Sequence, residues 1–426
     1  MSGKRKLLAD DMGLGKTCMS VVAFSNLGAK KILIICPPSV LYSWDREIVK
    51  WSIKSYWVQI MQGMMCEVDD VADIVICPYS ILHSPFIAHQ LKERRWGVLL
   101  IDEVHYLKST KANRTHVIFG KGNSKGVAHN SVYIWSLSGT PMTNTPIDVW
   151  PLMKKMNAKN LGRYNTWMKF TGRFCRRYLD RRMRWNVTGA SHIDELNKML
   201  FDTGFALRRT KREVLKDLPP KQLRILPVNV DKKISYNSVT WDDQIDQSEI
   251  QGSLTCEGEE IAEARREIGL VKIPQVFAHL KEVLNSHEKI VLFSWHQDTV
   301  DAYQDLFKKA GIPSVKYNGS VGPKEKDEAL QEFSKGKARV FNCNFLSAGV
   351  GLDGLQYVCS YGCFAELPWT FTELMQAADR LDRFGQGNKP LIDIFVCRKT
   401  IDQYMIKKVF TKEKHHEALL TTGDPR

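Results

Sequence analysis

Short stretches dominated by Val, Ile, Leu and other apolar residues recur along this 426-residue chain, at 32–36, 74–77, 98–101 and 132–137, and the same texture returns at 290–293, 339–343 and 392–396. A strand without polar alternation is buried on both faces, which requires a parallel sheet covered by helices. The two groups of runs are separated by 151–274, where Arg, Lys and aromatic residues fall at helical spacing. The Pro219-Pro220 break and an acidic, Gly-containing stretch at 249–260 follow. The pattern predicts an α/β chain with two parallel-sheet domains and a helical insertion between them. Neither internal repeats nor low-complexity tracts interrupt it.

Hydrophobic residues make up 43% of the chain and charged residues 25%, enough apolar mass for more than one core. Disorder, collagen and coiled coil are excluded as the main theme. No apolar run approaches the roughly 20 residues that span a bilayer, and the polar start MSGKRKLLADD has no signal-like apolar region. The 10 cysteines form no CxxC pair, which predicts a reduced, intracellular protein without a disulfide frame. Against 47 acidic residues stand 61 Lys and Arg, and the net charge of +14 favours a polyanionic partner such as nucleic acid.

Chemistry concentrates first at Asp10-Asp11-Met12-Gly13-Leu14-Gly15-Lys16-Thr17, between the apolar Leu7-Leu8-Ala9 and a helical pattern with Met19, Val22 and Ala23. A loop between strand and helix aims successive N–H groups and the positive helix end at a phosphate chain. Gly13 and Gly15 permit close backbone approach, Lys16 reaches the β/γ-phosphates and the Thr17 hydroxyl takes Mg²⁺. Asp10 stands where the generic phosphate-loop pattern has its first glycine, so only the Gly-Lys-Thr half matches. A second segment, Trp96 to His105, puts Asp102 and Glu103 at the carboxyl end of a buried strand, where ligand sites of open α/β sheets lie. Asp102 is placed to hold Mg²⁺ and Glu103 to orient and deprotonate an attacking water. Together the two segments predict nucleoside triphosphate hydrolysis; a Gly-rich turn and a helix cap are the competing readings of each alone.

With Asp102-Glu103-Val104-His105 after the lysine loop, the chain resembles a superfamily-two helicase-like ATPase. Cys36 to Leu41 with Trp44, Leu137 to Pro141 with Asn144, Asn344 to Leu355 and Gln376 to Gln386 resemble motifs Ia, III, V and VI of SWI/SNF-type DNA translocases. Within that family, Phe364-Ala365-Glu366-Leu367-Pro368-Trp369, the run from Arg173 to Ser191, and Leu207-Arg208-Arg209 to Leu218-Pro219-Pro220-Lys221 resemble the HepA-related, annealing-helicase branch. The resemblance implies two RecA-like lobes, at 1–155 and 276–426, with a basic helical protrusion at 156–215 and a linker with a second helical insertion at 216–275. It implies ATP and Mg²⁺ as ligands, and adds Gly349 and Gln376 to the nucleotide contacts. Three departures stand out. The glutamine motif that contacts adenine is missing upstream of the loop, either through truncation or with weakened nucleotide selectivity. Asp353 and Asp382 replace a common asparagine in motif V and a common histidine in motif VI.

Arg380 and Arg383, three apart, are expected on one face of a helix beginning near Thr372 and act as fingers toward the γ-phosphate. Ser138 and Thr140 are expected to join phosphate state to DNA grip. Phe170, Phe174 and Tyr178 fall at i, i+4, i+8, which predicts a helix with an aromatic face and a basic remainder carrying Arg173, Arg177 and Arg181. Those arginines, with Ser39 and Trp295, form the expected DNA contacts; packing for Trp295 and a solvated face for the arginines are the alternatives. Phosphate contact implies low sequence specificity and steep salt dependence. Cys343, Cys359 and Cys363 lack zinc spacing and are expected as buried thiols. The expected activity is tracking along double-stranded or branched DNA by an intracellular, DNA-associated monomer without a membrane. Strand separation or annealing is the rival activity, although no wedge or pin signature stands out. A non-hydrolysing DNA-binding scaffold is the rival from another class.

Overall fold

The computed structural model describes residues 4–139, 141–142, 145–156, 158–179, 183, 185–229, 258–348, 352, 354–398 and 400–406. The described residues up to Lys216 form one compact unit and those from Asp217 a second.

In the first unit the predicted apolar runs become strands. They are β1 (Arg5–Leu8), β2 (Ile32–Cys36), β3 (Val58–Ile60), β4 (Ile74–Pro78), β5 (Trp96–Ile101) and β6 (Ser131–Leu137). A short hairpin, β7 (Arg176–Leu179) with β8 (Trp185–Thr188), and the two-residue β9 (Ala206–Leu207) follow. The main sheet is parallel in the order β3-β4-β2-β5-β6-β1-β9. β2 and β4 are buried at every residue, as strands covered on both faces must be. The carboxyl ends of β1, β2, β5 and β6 lie side by side, so residues that follow them share one rim of the sheet.

Segment 156–215 is built onto this unit. The helix Trp167–Phe174 buries Phe170 and Phe174 against each other at 4.8 Å between ring centroids. It stops there: Cys175 turns extended and the chain enters β7, antiparallel to β8 with Leu179 opposite Trp185. Tyr178 therefore stands on a strand, not on the expected helix face. Alternation of Arg and aromatic residues satisfies a two-residue period as readily as a helical one, and pairing with β8 decides between them.

The second unit is a parallel sheet in the order β10-β15-β14-β11-β13-β12. Its strands are β10 (Gln222–Val228), β11 (Ile290–Ser294), β12 (Ser314–Tyr317), β13 (Val340–Asn344), β14 (Tyr361–Phe364) and β15 (Leu391–Cys397). The stretch expected as a linker thus supplies β10, an edge strand in register with β15 from Gln222 opposite Leu391 to Val228 opposite Cys397. Its Pro227 has no N–H to give, which an edge position tolerates. The fold class is as expected: two parallel-sheet α/β lobes with a helical insertion. Among the described residues no helix is long and apolar enough to cross a membrane.

Candidate active site

The phosphate loop leaves β1 and enters the helix Lys16–Asn26. Gly13 and Gly15 adopt φ of 84° and 75°, the left-handed region open to glycine. Gly15 caps the helix without a side-chain acceptor, so the first-turn N–H groups are left to a ligand. Lys16 Nζ donates to the carbonyls of Asp10 (2.8 Å) and Asp11 (3.1 Å), which holds its ammonium over the loop. Thr17 opens the same helix.

The acids of the second segment stand two strands away on the same rim. Asp102 follows β5, and its N–H donates to the Ile35 carbonyl at 2.8 Å. Its Oδ2 accepts from the Trp44 indole N–H (2.9 Å) and its Oδ1 from the Glu103 N–H (2.9 Å). Burial, then the charge of Glu103, pushes the Asp102 carboxyl up to about 7, against the lowering effects of Trp44 and Lys16. A buried carboxylate raised in this way suits a cation. Glu103 sits in the left-handed region at φ 48°, uncommon for a residue with a side chain and typical of functional turns. Ser138 Oγ lies 3.5 Å and His105 Nδ1 3.2 Å from Glu103 Oε2, and the two partners are 3.3 Å from each other. Ser138 is itself tied to β1 by its N–H on the Leu8 carbonyl. The next residue, Gly139, closes on the loop so tightly that a Cβ there would meet Met12 Cγ at 2.6 Å and Lys16 Nζ at 3.3 Å.

In the second unit, the helix Phe371–Ala378 starts with a capping box between Thr370 and Glu373 and carries the buried Gln376. Arg380 and Arg383 come after this helix, in turns built on Arg380 N–H to Ala377 carbonyl and Leu381 N–H to Ala378 carbonyl bonds. They are not on its face as expected, because the chain tightens to i→i+3 bonding after Ala378. The two guanidinium groups nevertheless converge: both donate to the Leu352 carbonyl, at 3.0 and 3.1 Å. Arg383 Nε also donates to the Asp379 carbonyl at 3.0 Å.

The expected nucleic-acid contacts that are described fall on separate elements of the two units. Ser39, half-buried, lies in a turn after β2. Arg173 is engaged by Glu195 through Nε (2.8 Å) and Nη2 (2.6 Å). Arg177 donates to the Met168 carbonyl at 3.2 Å and lies over the Trp185 ring. Trp295 packs beside Phe345, with the Arg265 guanidinium 4.9 Å above its ring, so one face is covered. Thr140, Arg181 and Gly349 lie outside the described residues, as do Asn144 and Asp353. Cys343, Cys359 and Cys363 are buried, and burial raises all three thiols, Cys359 to about 12. Sequence reasoning missed the roles of Trp44, Gly139 and Leu352, although each falls inside a motif already singled out.

A glycine-rich loop and paired acids at strand ends on one rim of a parallel sheet define a phosphate-loop nucleotide hydrolase lobe, joined to a second parallel-sheet lobe with convergent arginines. The SNF2-related domain matches residues 2–286 and the helicase conserved C-terminal domain residues 275–385. The chain belongs to the SNF2-related family and is a helicase-like ATPase. It is 26% identical over 416 residues to the Homo sapiens DNA annealing helicase and endonuclease ZRANB3, covering 94% of this chain and 37% of that protein. The Drosophila melanogaster SWI/SNF-related matrix-associated actin-dependent regulator of chromatin subfamily A-like protein 1 is 24% identical over 422 residues, covering 96% and 53%. The chain thus spans about half or less of these relatives. The Sulfolobus solfataricus SWI2/SNF2 ATPase core in complex with dsDNA aligns with 99% of this chain and 90% of its own, at 21% identity and a TM-score of 0.42.

Proposed function

We propose that the chain hydrolyses ATP with Mg²⁺ and uses the energy to translocate on double-stranded DNA, acting as a DNA-dependent motor. The observation that carries the hydrolytic part of this reading is the triangle of Glu103 Oε2, Ser138 Oγ and His105 Nδ1, beside a buried Asp102 on the rim that bears the lysine loop. Thr17 and Asp102 would hold Mg²⁺, whose charge would offset that of the phosphate oxygens. Lys16 leaves its loop carbonyls for the β/γ-phosphates. Glu103 accepts the proton of the attacking water at Oε2, oriented by Ser138 and His105. Arg380 and Arg383, carried on the other lobe, meet the charge of the transferring phosphoryl group when the lobes close. Hydrolysis then requires closure, and a duplex held by both lobes is moved by it.

Phosphate release measured with and without linear duplex DNA tests the reading. Turnover rises with duplex and the stimulation falls steeply as salt is raised; equal turnover in both conditions sinks it. Strand separation or annealing is the second reading, favoured by the hairpin β7–β8. There Tyr178, Leu179, Met183 and Trp185 are 47%, 43%, 76% and 46% exposed beside Arg176 and Arg177, the mix of stacking surface and charge that unpaired bases take. A forked-duplex unwinding assay separates the two.

A further inference from the structure

Asp10 and Asp11 use their carbonyls to hold Lys16 and their carboxylates for something else. Asp10, wholly buried, accepts from the Arg209 N–H at 2.8 Å, from Arg209 Nε at 3.1 Å and from Arg209 Nη2. Asp11 accepts from Arg208 Nη2 at 2.7 Å and from the Lys211 N–H at 3.0 Å. Arg208 also donates to the Ala9 carbonyl (2.8 Å). Backbone bonds extend the attachment, from Leu7, Ala9 and Asp11 N–H groups to the carbonyls of Phe205, Leu207 and Arg209. The acid that broke the generic loop pattern is thus the socket for a later segment of chain.

That segment continues through the helix Lys211–Val214, fixed by a Thr210–Glu213 capping box, and through Pro219-Pro220 to Lys221. It crosses from the first compact unit to the second after Lys216. Within the second unit Lys221 Nζ lies 2.5 Å from Asp379 and 3.5 Å from Asp382, the acids on either side of Arg380. Burial works against the ammonium, but Asp379 and Asp382 overcome it and hold Lys221 charged. Asp382 is the residue that departs from the histidine common in motif VI, and Lys221 is the partner that makes an acid useful there. A capped helical turn and two prolines stiffen the chain between these attachments.

We propose that 208–221 is a charged tie between the two halves of the hydrolysis site. Arg208 and Arg209 set the shape of the phosphate loop through Asp10 and Asp11, and Lys221 sets Arg380 and Arg383 through Asp379 and Asp382. All three are positioning residues; the inference rests on the split ATP site proposed above. The ends have different kinetic signatures. The loop end acts on ATP in the ground state, so its loss raises KM and weakens nucleotide binding. The arginine end acts on the transition state, so its loss lowers kcat.

The test uses the full chain, with ATP turnover on saturating linear duplex and binding of a fluorescent ATP analogue without DNA. Lys221→Met is expected to lower kcat about ten-fold with KM within about two-fold. Lys221→Arg restores turnover, and Lys221→Met combined with Asp382→Asn is no worse than the stronger single variant. Arg208→Gln and Asp11→Asn are expected to weaken analogue binding about ten-fold each, again without adding when combined. Wild-type kcat in Lys221→Met, wild-type analogue binding in Arg208→Gln, or KM and kcat moving together at both ends overturns the tie. Thermal unfolding identifies a variant that simply fails to fold, in which case Lys221→Arg and Asp11→Asn decide. If the unmodified protein shows no duplex stimulation, the translocase reading fails, while the binding measurements still judge the loop end.

Discussion

The two lobes hold their reactive groups differently. In the first, acids at strand ends are locked by directed donors: the Trp44 indole on Asp102, Ser138 and His105 around Glu103, Arg208 and Arg209 on the loop aspartates. In the second, Arg380 and Arg383 come after a helix has ended and share one backbone carbonyl, that of Leu352. Strand ends inside a sheet buried on both faces cannot drift, whereas a bond to a carbonyl is readily exchanged for a bond to a phosphate oxygen. The first lobe is a preformed site and the second a cocked one. The difference matches the tasks proposed above for them, one to receive the nucleotide and the other to act on closure.

The largest effects test that division directly. Glu103→Gln and Arg383→Ala are each expected to cut ATP turnover by about 10³-fold or more, and Lys16→Ala likewise. Only Lys16→Ala also abolishes binding of a fluorescent ATP analogue; wild-type turnover in Arg383→Ala breaks the comparison. Stability sharpens it next. Trp44→Phe leaves the buried Asp102 short of a donor and is expected to cost about 1–3 kcal/mol in urea unfolding, while Arg383→Gln costs under about 1 kcal/mol. Gly139→Ala forces Met12 aside and is expected to lower kcat/KM about ten-fold, with partial recovery in the Gly139→Ala, Met12→Ala pair.

The smallest effect concerns an acid that the second lobe also locks, on its sheet. Asp393 accepts from Arg224, Tyr361 and His279, and these bonds outweigh burial to hold its carboxyl below the ordinary value. A depressed folded-state value adds stability above the unfolded carboxyl's pKa of about 3.9 and loses it as pH falls through the folded value. The melting difference between wild type and Asp393→Asn is therefore expected at pH 7 and to shrink in acid; a constant difference across that range excludes an electrostatic origin.

Both sheets were legible because strands such as β2, β4 and β11 are continuous apolar runs, a pattern only double-sided burial produces. The elements that escaped notice are those whose stability comes from a neighbour. β9 is two residues long and exists because β1 offers an edge; β10 is exposed or half-buried along most of its length and carries Arg224 and Pro227, as an edge strand does. The site residues were named from their motifs, yet the network joining them was not legible. Nothing in a linear string brings Arg208 to Asp11 or Lys221 to Asp382. The departures at Asp10 and Asp382 were the available signals, since an acid placed against pattern needs a cation somewhere.

The Trp44 contact makes one half of the reaction visible. An indole ring 1% exposed, bonded through its N–H to Asp102, senses any change of charge on that carboxylate. With fluorotryptophan in all 11 indole positions, the Trp44 fluorine resonance, assigned by its loss in Trp44→Phe, would report a cation proposed to bind at Asp102 without DNA or turnover.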